Sequence, residues 1–596
     1  MKVSSERRYE PKTTTLPGAA LIVLAAALAC VPVVLHRSSC GDDLQFHMLS
    51  WFDAQQSWRS GTLYPHWSPS ANYGAGEPRF IFYPPLTWMA GAALGSALPW
   101  SWVPVALLFL LLCGTGLAAR MLARRFLPSF PATLAALATV LGVYALFTAY
   151  ARAAYGELAG GIWIPLLVCL ALEDRAPSAR VWQRALDTST LPLALVVAGC
   201  WLSDAPVGVM GCYLLLALAV GAAVLARSWF PVVRAAVAGA LGIGLAGFYL
   251  VPAAWEQRWV NIREAMGVGD PGLKIENNWL FGHTTNPPMP EHDAGLHFVS
   301  CMAVAMLAVT FTAMAVVWLR RGSISPSQRS RWILLACIPV AVLLLQLPLS
   351  RPLWMLLPKL RYLQFPWRWL LVLEAPMGIW LAAAVWPCAQ VARWKRVGIA
   401  TLFCALPLAS LFYANATCFT QRCSDDERPV NLVAHLRAGE GSWGADEYAP
   451  TGTEDLLVAT GLPDACLADA ANVNLGVAGS PMVNPRWNPS SCIATAKAAG
   501  RTAEHMRVVM QSARSGVVIL RLRTYPAWRI RWNGVDVRSL PTRADGLIAV
   551  PVTAGPVDLT ADWSTTPDGI VGRVLTGLSV LALLILWRVQ KREPHP

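Results

Sequence analysis

Charge is what this 596-residue sequence has least of: Asp, Glu, Lys and Arg make up 14% of it, against 55% hydrophobic residues. So apolar and charge-poor a composition excludes an ordinary soluble globule. The fingerprints of nucleotide chemistry are also missing, since neither a Walker-type phosphate loop nor a dinucleotide-binding glycine pattern occurs. There is no CxxC pair, and His36, His66, His283 and His292 are not spaced as metal ligands. The net charge of +13 does not mark a nucleic-acid partner, because Lys and Arg are scattered through short connections and never collect in one soluble region.

What is abundant is long apolar sequence. Cores at 21–34, 107–118, 134–148 and 162–172, others onward to residue 411, and a last one at 570–587 mostly reach, with their flanks, the roughly 17–25 residues that cross about 30 Å of hydrocarbon. Lys2, Arg7, Arg8 and Lys12 precede the first run, but no small-x-small cleavage site follows it, so it reads as a retained helix. With the amino terminus inside, the connections 120–125, 175–184, 227–234, 320–331 and 393–396 and the tail 588–592 are all cytoplasmic. Each is basic, as an inside location requires. About twelve spans result, provided that 84–118 crosses once, its 84–98 portion being tilted, re-entrant or interfacial. The prolines with Trp100 and Trp102 leave a tight helical hairpin as the alternative. Many of the 27 tryptophans, including Trp367 and Trp369, fall near predicted span ends, where indole rings anchor a helix at the interface.

This topology puts 38–83, 150–160, 252–297, 350–368 and 413–567 outside. The expected fold is therefore a polytopic α-helical membrane domain over 1–412, a mainly-β extracytoplasmic domain over 413–567, and a final span with a basic tail over 568–596, in the cytoplasmic (inner) membrane. Within the exported domain the segments 516–523 and 547–552 alternate as strands do, and Asn533-Gly534 and Asp545-Gly546 are hairpin signals, so a small sandwich is expected. Cys418, Cys423, Cys466 and Cys492 all fall there and predict two disulfides of open connectivity, with a zinc site as the rival reading.

Three groups of residues carry candidate chemistry. Cys40-Gly41-Asp42-Asp43 follows the first span directly, with Gln45 and His47 about one helical turn on. Two adjacent carboxylates at a membrane surface either cap the helix that starts near Leu44, or supply a general base, or orient a divalent cation such as Mg2+ or Mn2+. Arg152 either neutralises a phosphate or forms a plain interfacial ion pair with Glu157. Arg351, Lys359, Arg361 and Arg368 make a short outer loop basic, against the expected asymmetry, either to bind a phosphate or to attract anionic headgroups.

The order of Asp42-Asp43, a helix with His47, Gly61 to Trp67, Gly74 to Pro78 and Tyr83-Pro84-Pro85-Leu86 resembles the first outer loop of bacterial membrane proteins of the GT-C glycosyltransferase superfamily. The group it is most similar to is named 6-pyruvoyl-tetrahydropterin synthase-related, near the YfhO-like proteins. The resemblance continues at Arg152 to Glu157, Pro252 to Glu256, Gln364 to Arg368, Glu447-Tyr448, Tyr525 to Trp528 and Asn533-Gly534, and so covers nearly the whole chain. No histidine-built zinc site accompanies it, so pterin chemistry is not implied.

What the resemblance implies is an inverting transferase that moves a sugar from a polyprenyl-phosphate donor to an extracytoplasmic glycan, polymer or lipid acceptor. Asp43 or Asp42 would be the catalytic carboxylate, with Asp43 preferred, and Glu157 a second one. His47, Tyr83, Arg152, Glu256, Arg361 and Arg368 would bind substrate. Asp42 and Asp43 would be the ligands of any metal. Two other classes remain open: a noncatalytic scaffold of cell-envelope polysaccharide assembly, and a lipid or polysaccharide transporter. The second calls for charged residues inside the spans, where almost no acidic residue is expected.

Overall fold

The computed structural model describes residues 16–172, 190–320, 328–386, 392–419, 423–453, 458–469 and 492–592. The amino-terminal cations, the connection 175–184 and most of 320–331 lie outside the described residues. The first helices are Leu16–His36 (α1), Leu44–Arg59 (α2), Arg79–Phe82 (α3), Pro85–Ala97 (α4), Val103–Ala123 (α5), Ser129–Val140 (α6), Val143–Tyr150 (α7) and Tyr155–Ala171 (α8). Thr190–Ser203 (α9), Ala205–Ala226 (α10), Phe230–Leu245 (α11), Gly247–Glu256 (α12), Pro290–Leu319 (α13) and Arg329–Leu345 (α14) follow. Arg351–Leu356 (α15), Leu370–Val385 (α16), Arg393–Cys418 (α17), Pro429–Ala438 (α18) and Pro567–Arg592 (α19) complete the set.

Among the described residues eight helical stretches, with α6 and α7 counted as one, are long and apolar enough to cross a membrane. There are ten if α11 with α12 and α14 with α15, bent by 76° and 93°, each count as one span; α8 and α9 are shorter apolar helices. Large side chains such as Val224, Leu402 and Phe412 point outward, 70%, 74% and 76% exposed, a surface suited to lipid and not to water. The chain is a membrane protein. The stretch 84–118 crosses once at most. Its first helix, α4, has 13 residues and about 20 Å of length, too little to span, and rests on α2.

Contacts sort the connections onto two ends of the bundle. At one end Arg331 donates to the Arg125 carbonyl (3.3 Å), Arg320 to Ala384 (2.8 Å) and Arg234 to Leu170 (3.0 Å). At the other, Cys40 is joined to Cys423, Thr87 donates to the Ser203 carbonyl (2.9 Å) and Tyr525 to Glu256 (2.5 Å). Among the described residues, the ends of the connections at 120–125, 227–234 and 320–331 thus meet neighbouring helix ends through their arginines. The third span breaks at Leu141 and Gly142, where Glu374 of α16 accepts the Ala145 N–H at 2.7 Å. This is an acid inside a span, which the sequence reading passed over. It satisfies a first-turn donor of α7.

The β-rich region forms two antiparallel sheets, as a sandwich should. One has the order β2-β1-β5-β8, with Ala465–Ala468 (β1), Ala494–Ala496 (β2), Gly516–Arg523 (β5) and Leu547–Val552 (β8). The other has the order β3-β4-β9-β6-β7, with Ala498–Arg501 (β3), His505–Ser512 (β4), Trp528–Trp532 (β6), Val535–Asp536 (β7) and Gly555–Trp563 (β9). Val508, Val518, Leu520, Ile530, Val550 and Leu559 fill the space between them. Trp67, Ile81 and Phe82 of the first outer segment belong to the same core, and His66 reaches Glu504 at 2.6 Å. The sandwich is thus built onto the first outer loop.

Several expectations need correction. Asn533-Gly534, with φ of 49° and 81°, does close the β6–β7 hairpin. Asp545-Gly546 closes none. The strand after it, β8, lies in the other sheet from β7, and the Asp545 carboxylate is taken by Arg543 (2.6 Å) and the Leu547 N–H (3.0 Å). The helix α17 continues to Cys418, past the expected boundary at 413. Cys466 pairs with Cys492, but Cys418 stays a free thiol at the helix end and Cys423 pairs with Cys40, with Cα atoms 5.7 Å apart. Two disulfides do form, yet one ties the domain to the first span, and the zinc reading is overturned.

Candidate functional site

The site starts from a tight backbone contact. Asp42 and Asp43 donate their N–H groups to the carbonyls of Ala151 (3.2 Å) and Arg152 (2.8 Å). Gly41 allows this approach, since a Cβ there would meet the Ala153 nitrogen at 2.5 Å. The clip fixes the aspartate pair beside Arg152. Asp43 occupies the N-cap position of α2 but makes no side-chain capping bond, its φ of −92° and ψ of −1° being helical instead of extended. The capping reading is therefore overturned. The Asp43 carboxylate lies 3.8 Å from Arg152 Nη2 instead, and neither aspartate side chain accepts a hydrogen bond among the described residues.

Behind the aspartates stands a buried ionic network. Glu157, 3% exposed, accepts from Arg152 Nη1 at 2.5 Å and from the Tyr144 hydroxyl, and Arg368 Nε lies 3.4 Å from the same Oε2 that Arg152 engages. Each guanidinium also lies against an aromatic face, Arg152 over Trp367 (5.0 Å) and Arg368 over Phe365 (5.1 Å). Such packing orients the charges and excludes water from one side of each.

A cavity of ≈ 710 Å³ opens in front, at the outer end of α1, α7, α13 and α17. Asp42, Arg152, Asn278, His292 and Glu427 form its polar wall, and Phe147, Tyr150, Phe298, Trp367 and Tyr413 its aromatic wall. Between α13 and α17 the rings of Phe298 and Tyr413 stack 6.5 Å apart. Burial pushes the Asp42 carboxyl above the usual range, as does its neighbour Asp43, against the pull of Arg152. The Asp43 side chain is 45% exposed but deeply set, and burial raises its carboxyl too, against Arg152 and Arg368. A raised carboxyl is the better proton acceptor near neutral pH.

The other expected residues divide. Arg152, Glu157 and Arg368 join the aspartates, but Glu157 is held by two cations and a phenol and does not line this cavity, so it positions the arginines. His47 and Tyr83 are buried and bonded to each other at 2.5 Å, and His47 Nε2 accepts the Tyr155 N–H at 3.2 Å. Burial, with Arg79 and Arg152, pushes the imidazole down to about 3, so it is neutral and both nitrogens are engaged. The pair ties α2 to α8. Glu256 bonds to Tyr525 (2.5 Å) and Thr566 (3.2 Å), latching α12 to the sandwich and the final helix, away from the cluster. Arg361 is exposed and takes no part.

One residue was missed. Asp204 caps α10 by accepting the Val207 N–H at 3.2 Å, and its carboxyl would lie 3.3 Å from a Cβ placed on Gly156. That sets it beside Glu157. Burial pushes it up to about 6, against the pull of Arg368. The signal for it was an Asp before a proline-started apolar run, which reads as a plain N-cap.

Among the described residues no group of three or more His, Cys, Asp or Glu side chains is arranged to hold a metal ion. The donor set does not fit Mg2+ or Mn2+, which need several converging oxygens. Asp42 and Asp43 stand alone, and the next carboxylate, Glu157, is occupied by guanidinium groups. No protein-family model matches this sequence, and no curated protein matches it.

Proposed function

We propose that this chain is an integral membrane glycosyltransferase that moves a sugar from a polyprenyl-phosphate donor to an extracytoplasmic glycan or lipid acceptor. The observation that carries the reading is the meeting of an uncapped carboxylate, Asp42, and an aromatic-backed guanidinium, Arg152, at one cavity with a polar and an aromatic wall, with Asp43 and Arg368 joined to them from behind through Arg152 and Glu157. The eight long helices and the two bent pairs support up to ten crossings, and the expected twelve take the shorter α8 and α9 as crossings too. In this reading the basic connections lie inside, and the cavity and the sandwich lie on the outer face of the cytoplasmic membrane. The resemblance to GT-C-type membrane proteins points the same way.

In this scheme the prenyl chain lies along the aromatic wall and its phosphate meets Arg152 and Arg368. Asp43 or Asp42 takes the proton of the acceptor hydroxyl as its oxygen attacks the anomeric carbon. The carbon–oxygen bond to phosphate breaks, and the arginines hold the charge that develops on the leaving group. Attack opposite the departing phosphate inverts the anomeric centre. Release of free polyprenyl phosphate from polyprenyl-phosphate-linked sugars in proteoliposomes tests the reading. Arg368→Gln should raise KM for the donor more than it lowers kcat, and an unchanged KM would count against the phosphate role.

A noncatalytic scaffold of envelope polysaccharide assembly is the second reading, and one observation favours it. Both arginines already pair with Glu157, as in a structural ion-pair network. Donor binding without turnover would select it. The transporter reading is weakened by Glu374, whose carboxylate is committed to a helix start.

A further inference from the structure

A second cavity, of ≈ 460 Å³, shares no lining residue with the first. It lies where α2 and the turn at 69–74 meet residues 439–441 and the sandwich. Two arginines from different sheets line it, Arg501 at the end of β3 and Arg521 in β5. Both turn to the same atom, Asp464 Oδ1, at 3.3 and 2.6 Å. Arg501 also donates to the carbonyls of Gly74 and Arg521, the latter at 3.2 Å, while Nε of Arg521 is buried without a hydrogen-bond partner.

Two guanidiniums facing one carboxylate leave a positive charge over. The other acid in the wall, Asp53, bonded to the hydroxyls of Ser68 and Ser70 (2.6 Å each) and the Ser70 N–H (2.9 Å), keeps its charge and offsets part of this at Arg501. The strain of the crowding is visible on Arg501, which burial and the neighbouring Arg521 push down to about 10. Arg59 adds a third cation at the exposed lip. Three guanidiniums thus face two carboxylates, and an anion in the cavity pairs with the surplus and with the unpartnered Arg521 Nε.

The rest of the wall suits a sugar. Gln56, Ser57 and Thr502 supply amide and hydroxyl groups. Gly74 and Gly441 leave bare backbone, since a Cβ on Gly74 would stand 3.2 Å from the Arg521 guanidinium and one on Gly441 2.5 Å from the Gly74 nitrogen. We propose that this cavity binds an anionic saccharide unit, its carboxylate or phosphate on Arg501 and Arg521 and its hydroxyls on the serine side. The inference does not depend on sugar transfer at the Asp42 cavity.

The test is calorimetric titration of the detergent-solubilised full chain with glucuronate, glucose 6-phosphate, glucose and inorganic phosphate. At least one of the acidic sugars should bind about tenfold or more tighter than glucose, with an affinity that falls as salt rises. The preferred acid separates a carboxylate ligand from a phosphate one. Ser60 is exposed at the lip, so Ser60→Asp leaves the fold intact while placing a negative charge at the mouth. It should weaken the acidic sugar at least about tenfold, and Ser60→Lys should not weaken it. Equal affinity for glucose and both acidic sugars, no binding by any ligand, or indifference to Ser60→Asp overturns the proposal. Inorganic phosphate binding as tightly as glucose 6-phosphate, with glucuronate silent, overturns its saccharide part.

Discussion

Glu157→Gln is the sharpest probe of the buried network, because one carboxylate oxygen serves two cations. Arg152 Nη1 lies 2.5 Å from Oε2 and Arg368 Nε 3.4 Å from it, while the Tyr144 hydroxyl bonds to the other oxygen. Removing one partner of a buried ion pair costs about 3–5 kcal/mol. Glutamine keeps the shape and one acceptor oxygen, so the expected loss is about 2–4 kcal/mol. Asp43, 3.8 Å from Arg152, is too far and too open to replace it. Denaturant titration in mixed micelles, followed through the fluorescence of the 27 tryptophans, measures the change. Pairing the variant with Arg152→Gln and with Arg368→Gln completes two double-mutant cycles, each expected to show a coupling of about 1–3 kcal/mol. A loss below about 0.5 kcal/mol, or full additivity in both cycles, would refute the claim that Glu157 holds the arginines.

Two other outcomes follow from local geometry. Gly41→Ala should drive the aspartate loop off its backbone contact, since the new Cβ would meet the nitrogen of Ala153 at 2.5 Å. Donor turnover should then fall while the Cys466–Cys492 disulfide, far along the chain, still forms; undiminished turnover would show that the clip does not set the site. In the sandwich region, burial pushes the Glu447 carboxyl up to about 7. The folded state therefore holds a proton that the unfolded chain has released, so its stability is full at acidic pH and declines as pH rises from the ordinary carboxylate range to about 7. Glu447→Gln should flatten that decline in unfolding titrations at pH 5 and pH 8, and an unchanged slope would count against it.

The fold was legible wherever one physical signal dominated. Apolar runs of spanning length and the basic connections located the bundle, and the two-residue alternation bounded β5 and β8 as the structure has them. What failed depended on the third dimension. Asp545-Gly546 carries the same hairpin chemistry as Asn533-Gly534, but a turn signal does not say which sheet the next strand enters. Cys40 sits at the end of a span, 383 residues before its partner, and no spacing rule reaches that far.

The candidate site was half legible. Asp42, Asp43, Arg152 and Arg368 stand out because charge at a span end is conspicuous. His47, Tyr83 and Glu256 are just as conspicuous in sequence, yet each is consumed by an internal bond that only packing determines. Glu374 and Asp204 were undervalued for the opposite reason, since each looks like an ordinary residue of an apolar run or a helix start.

The most direct measurement is sugar transfer from polyprenyl-phosphate donors in proteoliposomes by the unmodified protein, Asp42→Asn and Asp43→Asn, each across a range of pH. One asparagine variant should lose at least about 100-fold in kcat with donor binding and expression intact. The unmodified protein should lose activity as pH falls, on a limb above the ordinary aspartate range, because both carboxyls are raised. No transfer from any donor, or full activity in both variants, would contradict the transferase reading at its centre.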